Sequence, residues 1–281
     1  ANRCAMVTLP AVSPLRPGGS AAPVQAASGR FLGFGAPVLQ GGAGATRSGG
    51  APVFATADAN GLGLADPATI RALAPLPGTR RELDAMATLF ATQATVATGT
   101  DATEAAFKRA PRLGDATVLA FATHGLLPRE VRGLDEPGLV FTPPRQASRE
   151  DDGVLTASEA AGLELRADWL ILSACNTAAA DGTPGAESLS GLARAFLYAG
   201  AQSLLASHWR VSDDATAALT VETLSAWRAP SQPTRARALQ QAMRALRSGQ
   251  RADGTPLPGW KPQWAHPSAW APFVVISADD R

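Results

Sequence analysis

The chain has 281 residues, of which 46% are hydrophobic, enough to fill the core of one large α/β domain or of two small ones. Its 25 basic and 24 acidic residues are interspersed and give a formal net charge of +1, so no basic field would attract nucleic acid or an anionic membrane. The apolar stretches are too short to span a bilayer. We therefore expect neither nucleic acid nor a membrane as a partner.

Cysteine and histidine are both scarce. Cys4 and Cys175 are too few for a disulfide framework and fit a reducing compartment, which favours the cytoplasm. The three histidines lack metal-ligand spacing, and no phosphate-binding or complete dinucleotide-binding glycine motif is present. We predict no metal and no other cofactor. The start has no signal-peptide layout and no initiating Met, so we expect a fragment of a longer protein.

The first quarter of the chain is loosely specified. Residues 10–30 and 41–52 are rich in Pro, Gly or Ala and are typical of loops, while a short strand is predicted at Arg30–Gly35. We therefore divide the chain into residues 1–75, a loosely specified part of the same domain whose truncation stays open as an expectation, and residues 76–281, the core.

From Gly78 the periodicity becomes clear. Leu83, Met86, Ala87 and Phe90 form one face of an amphipathic helix. Further strands and helices are then predicted in alternation, with capping-box-like helix starts at residues 101–104 and 156–159. The predicted strands are Thr95–Ala97, Ala116–His124, Gly138–Phe141, Ala167–Cys175, Ser203–Ser207 and Pro272–Ile276, and the later helices cover 189–197, 213–227 and 235–246. This alternation predicts helices on both faces of a mostly parallel sheet.

Two of the predicted strands end in residues whose side chains can take part in catalysis. His124 ends one apolar run and Cys175 ends another, and turn-forming residues follow both. In an open α/β sheet, ligands bind beyond the carboxyl ends of the strands, so a thiol and an imidazole at two such ends could share a cleft. The imidazole could accept the thiol proton and produce a nucleophilic thiolate.

A structural interpretation of both residues stays open. A lone Cys is commonly a small buried hydrophobe, and a strand-end His is commonly satisfied by hydrogen bonds. His124 precedes Cys175 by 51 residues, close to the interval of about 50 residues in caspases. Spacing alone is weak evidence for a catalytic pair.

Several ordered motifs resemble the CHAT domain, a caspase-like and separase-like family that is often joined to tetratricopeptide repeats. The motifs are Phe121–Gly125, Leu172–Thr177, Gly191–Ala201 and His266–Phe273, with supporting matches at Leu76–Glu82 and Leu205–Asp214. The resemblance covers residues 76–277 and, more loosely, 5–40. It implies an α/β fold, the caspase-like three-layer αβα sandwich with a mostly parallel central sheet.

The resemblance also implies a function. His124 and Cys175 would be the catalytic dyad of a cysteine endopeptidase that forms a thioester acyl-enzyme. The backbone N–H groups of Gly125 and Cys175 would hold the oxyanion. The substrate would be a protein or peptide, and the chain would be a module of a larger regulated bacterial signalling or defence protein, with a tetratricopeptide-repeat or sensor partner in the same or another chain. Asn176-Thr177 departs from the caspase pattern, so caspase specificity is not transferred.

Two residues of opposite charge compete for the role of specificity residue. Asp213 resembles the acidic residue that selects Arg or Lys in separase-like and CHAT proteins, whereas Arg210 could accept Asp or Glu. We favour cleavage after a basic residue, although Asp213 could instead cap the next helix. His208 is expected to line the cleft at most. Asp168 is a further acidic candidate, more typical of a surface charge at a strand edge, and Glu187 is another.

Two other functions remain as alternatives. One is a catalytically silent or partner-activated protein-interaction module, and the other is a small-molecule cysteine hydrolase, since one fold hosts many chemistries. The retention of His124, Cys175 and Gly125 favours activity. If the specificity is basic, Arg145 and Arg149 in a charged loop raise the hypothesis of self-cleavage, either there or in a second predicted loop at residues 178–186.

Overall fold

The computed structural model describes residues 29–42, 63–111, 113–173, 188–208, 211–231 and 233–277. Cys175 and Arg210 lie outside these described residues, as do Glu187 and the predicted loop 178–186. Within the described ranges, no helix combines the length and the apolar character that crossing a membrane requires.

Strands and helices alternate along the described chain. The strands are β1 (Phe31–Pro37), β2 (Ala94–Gly99), β3 (Val118–Ala122), β4 (Gly125–Leu126), β5 (Gly138–Val140), β6 (Val154–Thr156), β7 (Trp169–Leu172), β8 (Ser203–Ser207) and β9 (Phe273–Ser277). The helices are α1 (Pro67–Arg71), α2 (Pro77–Thr88), α3 (Glu104–Lys108), α4 (Ala157–Ala161), α5 (Ser188–Tyr198), α6 (Asp213–Trp227) and α7 (Arg235–Ser248).

A six-stranded sheet in the order β2-β1-β3-β7-β8-β9 forms the centre of the protein. Its strands are parallel from β2 to β8, and β9 pairs antiparallel with β8. The predicted α/β fold with a mostly parallel sheet is confirmed. The strand from the loosely specified first quarter, β1, lies inside this sheet between β2 and β3.

Helices cover both faces of the sheet. Along β3, Val118, Ala120 and Ala122 belong to the core packed by α2, α6 and α7, whereas Leu119 and Phe121 belong to the core packed by α3, α4 and α5. Because strand side chains alternate between faces, one short apolar run supplies both cores. Burial of each large side chain contributes about 1.5–3 kcal/mol. The predicted three-layer αβα arrangement follows from these two cores.

A small antiparallel sheet, β4-β5-β6, adjoins the end of β3. The strand predicted at Gly138–Phe141 exists as β5, but it pairs with β4 and β6 and not with the central sheet. Gly125, which the sequence suggested as the start of a turn, is the first residue of β4 and lies opposite Leu139. Strands of two or three residues are too short to show a period, so neither β4 nor β6 was predicted.

The charged segment 143–153 is anchored at its carboxyl end. The backbone N–H groups of Asp152 and Gly153 donate to Glu104 Oε2 at 2.9 and 3.1 Å. Lys108 joins Glu104 and Glu159 at 2.5 and 2.7 Å. Glu104 is 1% exposed, and this burial raises its pKa to about 8 although Lys108 opposes the shift. Glu104 therefore fixes the carboxyl end of this segment through backbone contacts.

The two predicted helix starts differ in outcome. At α4, Thr156 accepts from Glu159 N–H while Glu159 accepts from Thr156 N–H, so this capping box is confirmed. At α3, the cap is Thr103, which accepts from Ala106 N–H, and the start predicted at Asp101 was two residues early. Glu104 lies in the first turn of α3, but its side chain is buried and bonds to Lys108 and to the N–H groups of Asp152 and Gly153.

Candidate functional site

Three parallel strands end at one edge of the central sheet. His124 follows β3 by two residues, Ser173 directly follows β7, and His208 directly follows β8. Because β3, β7 and β8 are neighbours and run in the same direction, their carboxyl ends lie side by side. The structure thus brings His124 and the chain leading to Cys175 to the edge where the sequence placed them.

The register between β3 and β7 has a constant interval. Val118 pairs with Trp169 and Phe121 with Leu172, so partners differ by 51 positions. Ser173 N–H then donates to the carbonyl of Phe121 at 2.8 Å, which carries the contact one residue beyond β7. In the sequence, His124 and Cys175 also differ by 51 positions. The spacing noted in the sequence thus equals the interval between the strand partners of β3 and β7.

The imidazole of His124 is fixed by a backbone carbonyl. Its Nε2 lies 2.8 Å from the carbonyl oxygen of Ala74, three residues before α2, and the residue is fully buried. A carbonyl can only accept, so Nε2 carries the proton and donates it. In the neutral ring, Nδ1 then holds the lone pair. The contact leaves His124 able to accept a proton at Nδ1.

Gly125 holds its backbone N–H away from the small sheet. Val140 N–H donates to His124 C=O at 2.9 Å, and Gly125 faces Leu139. This pattern makes Gly125–Leu139 a non-hydrogen-bonded pair, in which the N–H points away from the partner strand. Since β4 is an edge of the small sheet, the Gly125 N–H points out of that edge, as an oxyanion donor must.

The segment before and within α2 contributes two contacts that the sequence analysis did not assign. Ala74 supplies the carbonyl for His124, and Glu82 is buried with its carboxylate against Ser173 Oγ at 2.9 Å. A backbone carbonyl leaves no mark on residue type, so nothing in the sequence signalled Ala74. Glu82 stood in a motif noted for the family resemblance, and its place among apolar helix positions was the available signal.

Asp213 is the first residue of α6, and Ser212 is the cap residue, so Asp213 is not the N-cap considered from the sequence. Its carboxylate packs against the first turn of α2: Oδ2 lies 2.7 Å from where a Cβ on Gly78 would stand. Gly78 lies four positions after Ala74, a span of at most about 14 Å. Asp213 is therefore close to the candidate site, while its rival Arg210 lies outside the described residues.

Asp168 does not share this edge. It precedes β7, at the amino end of the strand, whereas the chain leaves the carboxyl end towards Cys175. It is 3% exposed, so it is not the surface charge that the sequence suggested. Burial raises the pKa of its carboxyl, an effect that attraction to Arg235 opposes. Asp168 is thus a buried structural carboxyl at the opposite edge, and we remove it from the substrate-binding candidates.

His208 lies at the expected edge but differs from His124 in its surroundings. It is exposed, and its backbone N–H donates to Pro272 C=O at 2.9 Å. In β8, Leu205 belongs to the core that includes α2, and Leu204 to the opposite core. By alternation, residue 208 falls on the face opposite to that of α2. This position agrees with a cleft-lining residue and not with a second base.

These features define a class: a three-layer α/β protein whose candidate site lies at the carboxyl edge of its sheet. In the described ranges, no group of three or more His, Cys, Asp or Glu residues is arranged to hold a metal ion. A family model of the CHAT domain matches residues 2–278, so the chain belongs to the CHAT domain family, which is related to caspase-like peptidases. A search of curated protein sequences found no match.

Proposed function

We propose that the chain is a cysteine endopeptidase with a dyad of His124 and Cys175. Nδ1 of His124 accepts the Sγ proton, and the thiolate attacks the carbonyl carbon of the scissile peptide bond. The tetrahedral intermediate collapses to a thioester as the protonated imidazole gives its proton to the leaving amine. Water, deprotonated by the same imidazole, then hydrolyses the thioester and restores the thiol.

The observation that carries this proposal is the shared interval of 51 residues. His124 and Cys175 are separated by the same number as the strand partners Val118 and Trp169. Ala122 and Ile171 lie on the α2 side of the sheet, and His124 and Ser173 both reach the α2 segment. The strand that leads to Cys175, β7, therefore lies one strand spacing of roughly 4.8 Å from β3, the strand that leads to His124.

The oxyanion would be held by the N–H groups of Gly125 and Cys175. The outward direction of the Gly125 N–H supports the first of these. Two donors aimed at the developing negative charge are the usual arrangement in acyl transfer, and each contributes about 3 kcal/mol to the lowering of the barrier.

We further propose cleavage after Arg or Lys, with Asp213 as the selecting residue. Its half-buried carboxylate begins α6 beside Gly78, in the segment whose other end holds His124 through Ala74. A partly desolvated carboxylate there would pair with a guanidinium or ammonium group. Arg210 remains the alternative and would favour acidic substrates.

The complete burial of His124 supports a partner-activated state as the second candidate function. A peptide can reach Nδ1 only after the atoms packed over the His124 ring move aside. Loop rearrangement on partner binding is a common way to expose such a buried group. We propose that this module belongs to a larger regulated bacterial protein in the cytoplasm, with a tetratricopeptide-repeat or sensor region as its activator.

Fluorogenic peptides ending in Arg, Lys, Asp or Asn test the proposal directly. We expect turnover of the Arg and Lys peptides, and a loss of about 100-fold or more in both His124→Ala and Cys175→Ala. His266→Ala is the matched control, because this exposed histidine bonds to Ser268 within its own turn and is expected to leave turnover unchanged. Turnover that survives Cys175→Ala would exclude the thioester mechanism.

A further inference from the structure

One short segment, residues 74–82, contacts three parts of the candidate site. Its first residue, Ala74, holds His124 through the carbonyl. Gly78, in the first turn of α2, lies against the Asp213 carboxylate. Glu82, one helical turn later, meets the chain at the end of β7 through Ser173. The base, the specificity residue and the strand that leads to the nucleophile therefore share one support.

The Glu82 contact is buried and polar. Glu82 is 1% exposed and Ser173 is 4% exposed, and Ser173 Oγ donates to Glu82 Oε2 at 2.9 Å. On its other oxygen, Glu82 Oε1 lies 3.3 Å from Thr220 Oγ1, in the middle of α6. The carboxylate thus joins α2, the end of β7 and α6 beneath the edge of the sheet.

We propose that Glu82 is a positioning residue for Cys175, a role that rests on the proposed peptidase function. Ser173 is the first residue after β7, and two peptide bonds separate it from Cys175. The hydrogen bond to Glu82 fixes the rotation and height of the backbone at Ser173. This contact constrains the chain two residues before Cys175, at the same α2 segment whose Ala74 carbonyl holds His124.

A purely apolar interior would hold the same helices together without such a contact. A buried carboxylate costs free energy unless hydrogen bonds satisfy it, so its position is narrowly determined by its donors. Displacing a reacting group by about 1 Å can cost about 100-fold in rate. The Glu82–Ser173 contact thus costs some stability and gives the end of β7 a defined geometry.

The test uses Cys4→Ala as the background, so that Cys175 is the single thiol. Ser173→Ala and Glu82→Met break the contact, and we expect kcat for an Arg peptide to fall about 10- to 100-fold with KM within about twofold. The alkylation of Cys175 by iodoacetamide should shift to higher pH, towards the value of about 8.5 for a free thiol, because the imidazole no longer accepts its proton.

Glu82→Gln is the conservative variant. Its carbonyl can accept from Ser173, and its amide can donate to Thr220 Oγ1, whose own proton can go to Thr216 C=O at 3.0 Å. We expect this variant to retain at least about a third of the wild-type kcat. If Glu82 served packing alone, Glu82→Gln and Glu82→Met would both change the thermal midpoint of unfolding. The pH profile of Cys175 alkylation would then stay as in the wild type.

Two threonines of α6 provide a matched pair. Both are buried and bond to a carbonyl of their own helix, but Thr220 also contacts Glu82, whereas Thr223 Oγ1 donates to Leu219 C=O at 2.7 Å. Thr220→Val is expected to weaken the Glu82 geometry and lower kcat. Thr223→Val should change stability alone.

Failure of this inference and failure of the proposed function can be told apart. If wild type cleaves the peptide and Ser173→Ala matches it in kcat and in alkylation profile, the positioning role is overturned and the peptidase stands. If wild type cleaves no peptide while Ser173→Ala and Glu82→Met still shift the alkylation profile and Glu82→Gln does not, the positioning of Cys175 stands and the peptidase does not. Ser173→Ala removes one hydroxyl, so the comparison survives even if Glu82→Met does not fold.

Discussion

His124 Nε2 lies 2.8 Å from the carbonyl oxygen of Ala74, and both residues are buried. This contact decides which nitrogen of the ring carries the proton, because a carbonyl accepts and cannot donate. It also joins the end of β3 to the segment that begins α2. The orientation of the His124 ring at the carboxyl edge of the sheet therefore depends on a residue 50 positions earlier in the chain.

The first prediction concerns the tautomer of His124. We expect Nε2–H in the neutral ring, with Nδ1 unprotonated, since Ala74 C=O holds the Nε2 proton. The ¹⁵N chemical shifts of the two ring nitrogens measure this directly. His208→Gln and His266→Gln leave His124 as the single histidine and secure the assignment. A neutral ring protonated at Nδ1 would contradict the proposed role of that atom as the base.

The second prediction concerns substrate choice. Asp213→Asn should lower kcat/KM for Arg and Lys peptides by about 30-fold or more, corresponding to ~2 kcal/mol, because the cation loses its ionic partner. Asp214→Asn is the control: the neighbouring Asp214 is exposed and pairs with Lys261. Equal effects of the two substitutions would remove Asp213 as the selecting residue. In that case, a gain of activity on basic peptides in Arg210→Gln would not restore Asp213 to this role.

The third prediction concerns Gly78. A Cβ at this position would lie 2.7 Å from Oδ2 and 2.8 Å from Cβ of Asp213, so Gly78→Ala must displace α6 or the Asp213 side chain. We expect a loss of about 1–3 kcal/mol in the free energy of unfolding, together with weaker preference for Arg over neutral peptides. Urea unfolding and kcat/KM ratios measure the two effects. Gly42→Ala is the control, since nothing lies within 4 Å of its added Cβ.

The fourth prediction concerns Asp168 and pH. Burial raises its pKa, so the folded state holds the Asp168 proton more tightly than the unfolded state does. The resulting stabilisation is full below the ordinary pKa of 3.8 and is lost as pH rises through the raised pKa, at about 1.4 kcal/mol per pH unit within that window. The stability of wild type relative to Asp168→Asn should therefore decline as pH rises from about 4.

Urea unfolding at several pH values checks this slope, with the exposed Asp101→Asn as the control. Because Asp168 lies at the opposite edge of the sheet, kcat/KM of Asp168→Asn for Arg peptides should stay within about twofold of wild type. A selective loss of basic-peptide cleavage in this variant would return Asp168 to the substrate site.

The fifth prediction concerns self-cleavage. Arg145 and Arg149 are exposed, while the same segment is held at its other end by Asp152 and Gly153. With basic specificity, we expect intact-mass spectrometry to show cleavage after one of these arginines on prolonged incubation. Cys175→Ala should stay intact, as should Arg145→Gln combined with Arg149→Gln. Identical unclipped masses for wild type and Cys175→Ala would exclude self-cleavage.

Sequence periodicity was sufficient to predict the strands of the central sheet. The runs that became β3, β7 and β8 are short, apolar and bounded by turn formers, and buried parallel strands need little more information than this. The same runs located His124 at a strand end, since a polar residue directly after a buried strand marks its exit from the core. The interval of 51 positions from His124 to Cys175 also equals the interval between strand partners in β3 and β7.

Contacts between distant segments were decided by the tertiary structure alone. The carbonyl of Ala74 beside His124, the carboxylate of Glu82 beside Ser173 and the packing of Asp213 on Gly78 join residues far apart in the chain. No local pattern encodes them, because each depends on how α2 and α6 pack on the sheet. The misassigned Asp168 has the same cause: a residue type gives its charge, but only the strand direction says at which edge of the sheet that charge lies.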